Sequence, residues 1–193
     1  MSLVERVKNI LMSPQTEWPV IAGEGASVGS LFTTYIIPLS LIPAICSFIS
    51  LSFFSGFGIV FGVVTAALSF GLGLVLTYVV AFIAGKLAPS FGGRDDLVQG
   101  LKLVAYSSTA TWVGGVFALI PAVGWIGSLA AFIYGLYLLY LGAVPVMGVP
   151  QDKSVVYTIV LVVIEFVVYF VSSMIVGAVV FSILGGAMMA GLH

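Results

Sequence analysis

Five long apolar stretches separated by short polar breaks set the pattern of this chain. They cover about residues 31–54, 59–85, 98–120, 123–146 and 155–184. Each exceeds the roughly 20 apolar residues that one helical membrane crossing needs. Inside a bilayer a lone segment can close its own backbone hydrogen bonds only as a helix, so each stretch predicts a transmembrane helix. The expected fold class is therefore all-α, an integral membrane helical bundle with five transmembrane helices. Pro38 and Pro43 fall inside the first span, where either removes a backbone donor and predicts a kink. The last apolar run, Val155 to Leu192, exceeds one crossing and is expected to tilt or to break near Gly185–Gly186.

The breaks alternate in character. SGFG (residues 55–58) and PAVG (121–124) are tight turns without charge, whereas KLAPSFGGRDDL (86–97) and MGVPQDKS (147–154) are polar loops. Arg6, Lys8, Lys86, Arg94, Lys102 and Lys153 are all the basic residues of the chain, and all fall on the side of the polar loops. The positive-inside rule places that side in the cytoplasm, with the N-terminus inside and the C-terminus outside. Arg94, Asp95 and Asp96, together with Asp152 and Lys153, then form a candidate cytoplasmic surface. Its plain reading is solvated loops with helix caps, and its sharper reading is a docking face.

Residues 1–30 have a different pattern. Leu3, Val7, Ile10 and Leu11 recur at helical spacing, with Glu5, Arg6, Lys8 and Asn9 on the other side. Ser13 followed by Pro14 reads as a cap and first-turn proline of a second short helix, and Trp18 suits an interface. The segment predicts an amphipathic pair lying on the membrane, and a pair packed under the spans has the same pattern. The mixed charge does not read as a signal peptide.

Composition sharpens this picture. The chain is 61% hydrophobic and 7% charged, against about 25% charged in a soluble domain. Its net charge of −1 argues against nucleic-acid partners, leaving membrane lipids and an unidentified protein. With one cysteine, Cys46, and one histidine, His193, no metal site or cofactor is expected. No Ser–His–Asp set, Walker loop, HExxH or CxxC is present, so the chain reads as non-enzymatic. Gly58 and Gly62 have the spacing for close helix approach, and glycine surfaces on the second or fifth span would permit a homo-oligomer.

Glu165 is the candidate for chemistry. It lies about ten residues into the fifth span, roughly 15 Å deep at 1.5 Å per residue, where an ionisable group normally faces protein or water. Tyr106, Ser107, Ser108 and Thr109 on the third span and Tyr134 and Tyr137 on the fourth fall near the same level. Ser40 and Thr77 do so on the first two. The functional reading is a mid-membrane site for a cation, a proton or a lipid headgroup. The structural reading is a protonated glutamate hydrogen-bonded to a tyrosine or serine as helix glue. Lys102, about one turn from the interface, is expected to snorkel to the headgroups.

The strings LKLVAYSSTATWVGGVFALIPAVGW and LYLLYLGAVPVMGVPQDKSVVYT resemble the bacterial branch of the Yip family, five-span membrane proteins of the Ypt/Rab-interacting type. The resemblance extends to VERVKNILMSPQTEWPVIAGE and YIIPLSLIPAI and so covers most of the chain. Ala110 stands where relatives often have proline, which weighs against a kink in the third span. Eukaryotic members are linked to Rab GTPases partly through longer N-terminal regions. With its short N-terminus this chain does not inherit Rab binding. Two functions follow as expectations. One is a scaffold or membrane organiser acting through helix and loop contacts, and the other is a small-ion, proton or lipid translocator built around Glu165.

Overall fold

The structure, a computed structural model, describes residues 1–56, 58–120 and 122–190, with side chains through Ser182. Two short helices come first, α1 (Leu3–Met12) and α2 (Pro14–Gly23). A reciprocal cap starts α1: the Ser2 hydroxyl accepts from the Glu5 N–H, and the Glu5 carboxylate accepts from the Ser2 N–H at 2.8 Å. The Ser2 amide and hydroxyl hold Glu5 below the usual carboxylate range. Pro14 occupies the first position of α2, where its missing N–H costs nothing.

The first apolar helix is continuous from Val28 to Phe54. It runs from α3 (Val28–Leu31) through a π stretch, Phe32–Ile36, into α4 (Ile37–Ile49) and a second π stretch, Ser50–Phe54. The Ile37 N–H reaches back five residues to the Phe32 carbonyl. This widened turn sits just before Pro38, which can donate no bond of its own. Next come α5 (Ile59–Leu87) with a 3-10 turn at Ala88–Phe91, α8 (Gly124–Met147) and α9 (Gln151–Ala190). Four stretches are long and apolar enough to cross a membrane: Val28–Phe54, Ile59–Phe91, Gly124–Met147 and Gln151–Ser182.

Residues 98–120, expected as one span, are instead three consecutive pieces: α6 (Leu97–Ser107), α7 (Thr109–Gly114) and a 3-10 segment, Gly115–Leu119. The break falls at Ser108. Its N–H (3.0 Å) and its hydroxyl (2.8 Å) both donate to the Val104 carbonyl, and such back-bonding often bends helices without any proline. Gly115 then allows a backbone-level crossing, since a Cβ there would stand 2.7 Å from the Pro43 Cα. The backbone of α9 runs unbroken past Gly185–Gly186, so the last apolar run stays one helix. The expected turns at 55–58 and 121–124 include Phe57 and Pro121, which lie outside the described residues, as do residues 191–193.

Packing is uneven along the bundle. The loops at 92–96 and 148–150 and the α1–α2 pair share one end, here termed the charged end. Ile10, Trp18, Leu101, Leu138, Met147 and Tyr157 are fully buried towards that end. On α5 the buried residues Val80, Ala81, Ala84 and Gly85 cluster near the same end, with only Gly62 and Ala66 beyond them. On α9 Tyr157 and Leu161 are buried, and past them only Val180 among the described side chains. Close approach at the charged end depends on small residues. A Cβ on Gly100 would run into the Ala81 carbonyl oxygen, and one on Gly142 would stand 2.8 Å from Trp18. Lipid tails are as apolar as leucine, so at membrane depth this dense packing holds by van der Waals contact rather than by exclusion of water.

Candidate functional site

Two separate polar regions emerge where the sequence placed one layer. The first is a buried ionic cluster where α1 and α2 wedge against α6, α7 and α8. Arg6 is 6% exposed, and its two guanidinium arms bridge the carboxylates of Glu17 and Glu24. Burial alone would lower the Arg6 pKa. The hydrogen bond and charge of Glu24, helped by Tyr106 and Glu17, raise it above the ordinary arginine value. Arg6 was placed on the solvent side of α1 by periodicity. Here it faces the bundle, its guanidinium carbon 5.8 Å from the Tyr106 ring centre. Lys102 does not snorkel. It is 2% exposed, and its Nζ donates to the Ile21 carbonyl (2.9 Å) and the Glu24 carbonyl (2.6 Å), closing the C-terminal end of α2.

Three of the predicted hydroxyls belong to this wedge. Tyr106 packs on Tyr35 (ring centres 4.3 Å apart) and edge-on against Trp18, while Thr109 shares a 2.6 Å hydrogen bond with the Tyr35 hydroxyl. Tyr134 donates to the Leu11 carbonyl at 2.7 Å, pinning the end of α1. Tyr137 stacks at 5.7 Å beside Tyr134 and is otherwise exposed. Ser107 is buried, and its hydroxyl has no partner among the described residues. Tyr106, Thr109 and Tyr134 hold helices together. None of them lines a cavity with Glu165.

The second region surrounds Glu165. The side chain is half-buried on α9 and has no hydrogen-bond or ion-pair partner among the described residues. It borders two cavities of about 490 Å³ and 520 Å³, and Ser108 and Trp112 of the α6–α7 break and Tyr169 line both with it. A third cavity, about 350 Å³, continues past Trp112 and Tyr169 to Ser40, Ser47 and Thr65 of the first two apolar helices. Of the predicted layer, only Ser108, Ser40 and Thr77 join Glu165 around this space. Trp112 and Tyr169 were not foreseen, although each stands four residues after a predicted position, Ser108 and Glu165, and so on the same helix face. The space lies beyond the sealed charged end. There the Tyr157 hydroxyl donates to the Ala84 carbonyl at 2.9 Å and draws α9 onto α5.

The predicted loop surface has a defined construction. The Arg94 N–H donates to the Met147 carbonyl at 2.9 Å, joining the loop before α6 to the end of α8. Gly93 permits this, since a Cβ there would stand 2.8 Å from that same carbonyl oxygen. Asp96 caps α6 by accepting from the Val98 and Gln99 N–H groups at 2.8 and 3.0 Å. Asp95 pairs with Lys86 at 2.7 Å on the surface, both side chains about half exposed, a contact of small energetic weight. Asp152 and Lys153 are exposed in the first turn of α9, and Arg94 is exposed too. Among the described residues no three His, Cys, Asp or Glu side chains group as metal ligands.

Residues 8–173 match the Yip1 domain. Over 170 residues the chain is 25% identical to Inner membrane protein YohC of Escherichia coli strain K12, an alignment covering 78% of this chain and 83% of that protein. The protein of the same name from Escherichia coli O6:H1 aligns equally well. No solved structure matches the chain.

Proposed function

The chain belongs to the Yip1 domain family, and from that premise we propose a multi-pass protein of the bacterial inner membrane that binds and translocates a small ion or amphiphile at Glu165. The inner-membrane placement rests on the likeness to Inner membrane protein YohC and on the apolar helices. In this reading α6, α7 and the 3-10 segment together make a fifth crossing, which puts the charged end in the cytoplasm and the C-terminus outside. A reporter fused after His193 should read external, and a cytoplasmic signal sinks this topology.

One observation carries the translocation reading. Glu165 borders open cavity on two sides and has no partner among the described residues, whereas every glue reading needs one. An unpaired carboxylate at that depth costs on the order of 2.5–3.5 kcal/mol on insertion scales, and a ligand that repays it explains its presence. Purified protein in liposomes tests this directly. Wild type is expected to move ions or scramble lipids, and Glu165→Gln to lose most of that flux. Wild type that moves neither across a broad panel ends the reading.

A scaffold role has a separate observation behind it. The loop at 92–96, hydrogen-bonded to the end of α8, exposes Arg94 and Asp95, and the first turn of α9 exposes Asp152 and Lys153 at the same end. A liposome assay with no flux would make that end the working part of the molecule.

A further inference from the structure

The cavity walls at Glu165 select by charge and by shape. Glu165 is their one carboxylate, and no lysine or arginine lines any of the three cavities. Lys102, the basic residue that opens the third apolar stretch, is committed to the α2 carbonyls. Several hydroxyls have already given up their protons. Ser108 donates to Val104, Thr77 to Gly73 and Ser173 to Phe170, each at 2.8 Å, so they turn acceptor lone pairs towards the space. Acceptors without a nearby cation disfavour an anion and favour a positive charge.

Shape narrows the class further. Each cavity beside Glu165, near 500 Å³, falls within the roughly 300–1,000 Å³ of small-molecule sites. A bare metal ion needs a closed shell of oxygens at about 2.0–2.6 Å, which hydroxyls spread over three helices and one carboxylate do not make. Trp112 and Tyr169 border all three cavities and offer aromatic faces of the kind that attract organic cations. The remaining wall is mainly apolar helix surface, suited to a hydrocarbon substituent.

We infer that the Glu165 cavity binds a lipophilic organic cation, an ammonium-type or phosphonium centre with apolar substituents, its charge held between Glu165 and the Trp112 and Tyr169 rings and its apolar part along the remaining helix wall. This rests on the binding reading above and adds the ligand class to it. Occupancy would take the ligand laterally from the membrane into the half of the bundle beyond the sealed charged end.

Tetraphenylphosphonium and tetraphenylborate share size and shape and differ in sign, so they test the charge without any variant. Both are titrated by equilibrium dialysis against the full chain in phosphatidylcholine nanodiscs, with empty nanodiscs as background. Saturable tetraphenylphosphonium binding and no saturable tetraphenylborate binding are expected. Glu165→Gln should weaken the phosphonium at least tenfold, and Trp112→Leu severalfold. Equal binding of the two ions, or phosphonium binding indifferent to Glu165→Gln in a monodisperse variant, overturns the cation assignment and leaves the cavity a site for another ligand. Absence of saturable phosphonium binding also overturns it. If the liposome flux is then still lost in Glu165→Gln, the translocation reading stands with a different ligand, and if wild type shows no flux, both fall.

Discussion

At the residue scale, the buried arginine of the wedge and the carboxylate beside the cavities behave in opposite ways. Arg6 is buried with its charge fully answered by Glu17 and Glu24, whereas Glu165 is left open to a cavity. Removing one member of a buried ion cluster strands the others, at a cost of about 3–5 kcal/mol. Glu24 is 43% exposed at its side chain, which softens the penalty, so Arg6→Ala is expected to cost about 3 kcal/mol. Thermal unfolding in detergent should show it as a clear drop in Tm. Arg6→Lys should recover only part, because one ammonium cannot fork to two carboxylates. An Arg6→Ala melt equal to wild type would mean that the wedge contributes little. None of this was legible in the sequence. Helical spacing sorts residues by face, and it put Arg6 with Glu5, Lys8 and Asn9 because the partners lie 11 and 18 residues away. Lys102 was misread for the same reason. A long side chain near a helix start looks free to snorkel until a carbonyl pair 78 and 81 residues upstream is known to meet it.

At the scale of elements, length and apolarity served well where one physical rule sufficed. Four helices long and apolar enough to cross a membrane, Val28–Phe54, Ile59–Phe91, Gly124–Met147 and Gln151–Ser182, overlie the first, second, fourth and fifth expected stretches. The third does not stay whole, and hydropathy carries no signal for the break at Ser108, since the same back-bond at Thr77 and Thr158 leaves α5 and α9 unbroken. Glycine was legible as a signal of close approach but not as to its object. Gly62 of the expected GxxxG pair packs within the chain, where an added Cβ would stand 3.0 Å from the Phe48 carbonyl and push on Ser52. The tighter approach to backbone is at Gly100, where α6 crosses α5 and an added Cβ would stand 2.4 Å from the Ala81 carbonyl oxygen. Gly100→Ala would gain helix propensity of about 1 kcal/mol. Overpacking against rigid backbone costs typically 1–3 kcal/mol, so net destabilisation of up to about 2 kcal/mol is expected. Gly71→Ala, with nothing within 4 Å of its added carbon, should be neutral or stabilising. A chemical-denaturation series that ranks these two the other way would refute the close crossing.

At the scale of the whole molecule, the fully buried side chains gather towards the charged end, which has a cavity of about 260 Å³ between α2 and α8, and the larger cavities lie beyond it. The wedge of α1 and α2 closes the charged end, and this division decides how to interpret Glu165. If the carboxylate served the fold, it would sit among partners in the packed part. Instead it lies beside two open cavities, next to Ser108 at the break in 97–119. Functional groups held at a cost to stability show themselves when replaced, because removing the cost stabilises the protein while activity is lost. Glu165→Leu separates the two cases more sharply than Glu165→Gln, which keeps hydrogen-bonding capacity. A glue role predicts a lower Tm, from a lost interhelical hydrogen bond of roughly 0.6–2 kcal/mol. A binding role predicts an unchanged or higher Tm, since leucine removes an insertion cost of on the order of 2.5–3.5 kcal/mol. The second outcome is expected, together with loss of flux in liposomes. A Glu165→Leu protein that melts earlier than wild type and still moves its substrate would assign Glu165 to the framework and the cavity to lipid.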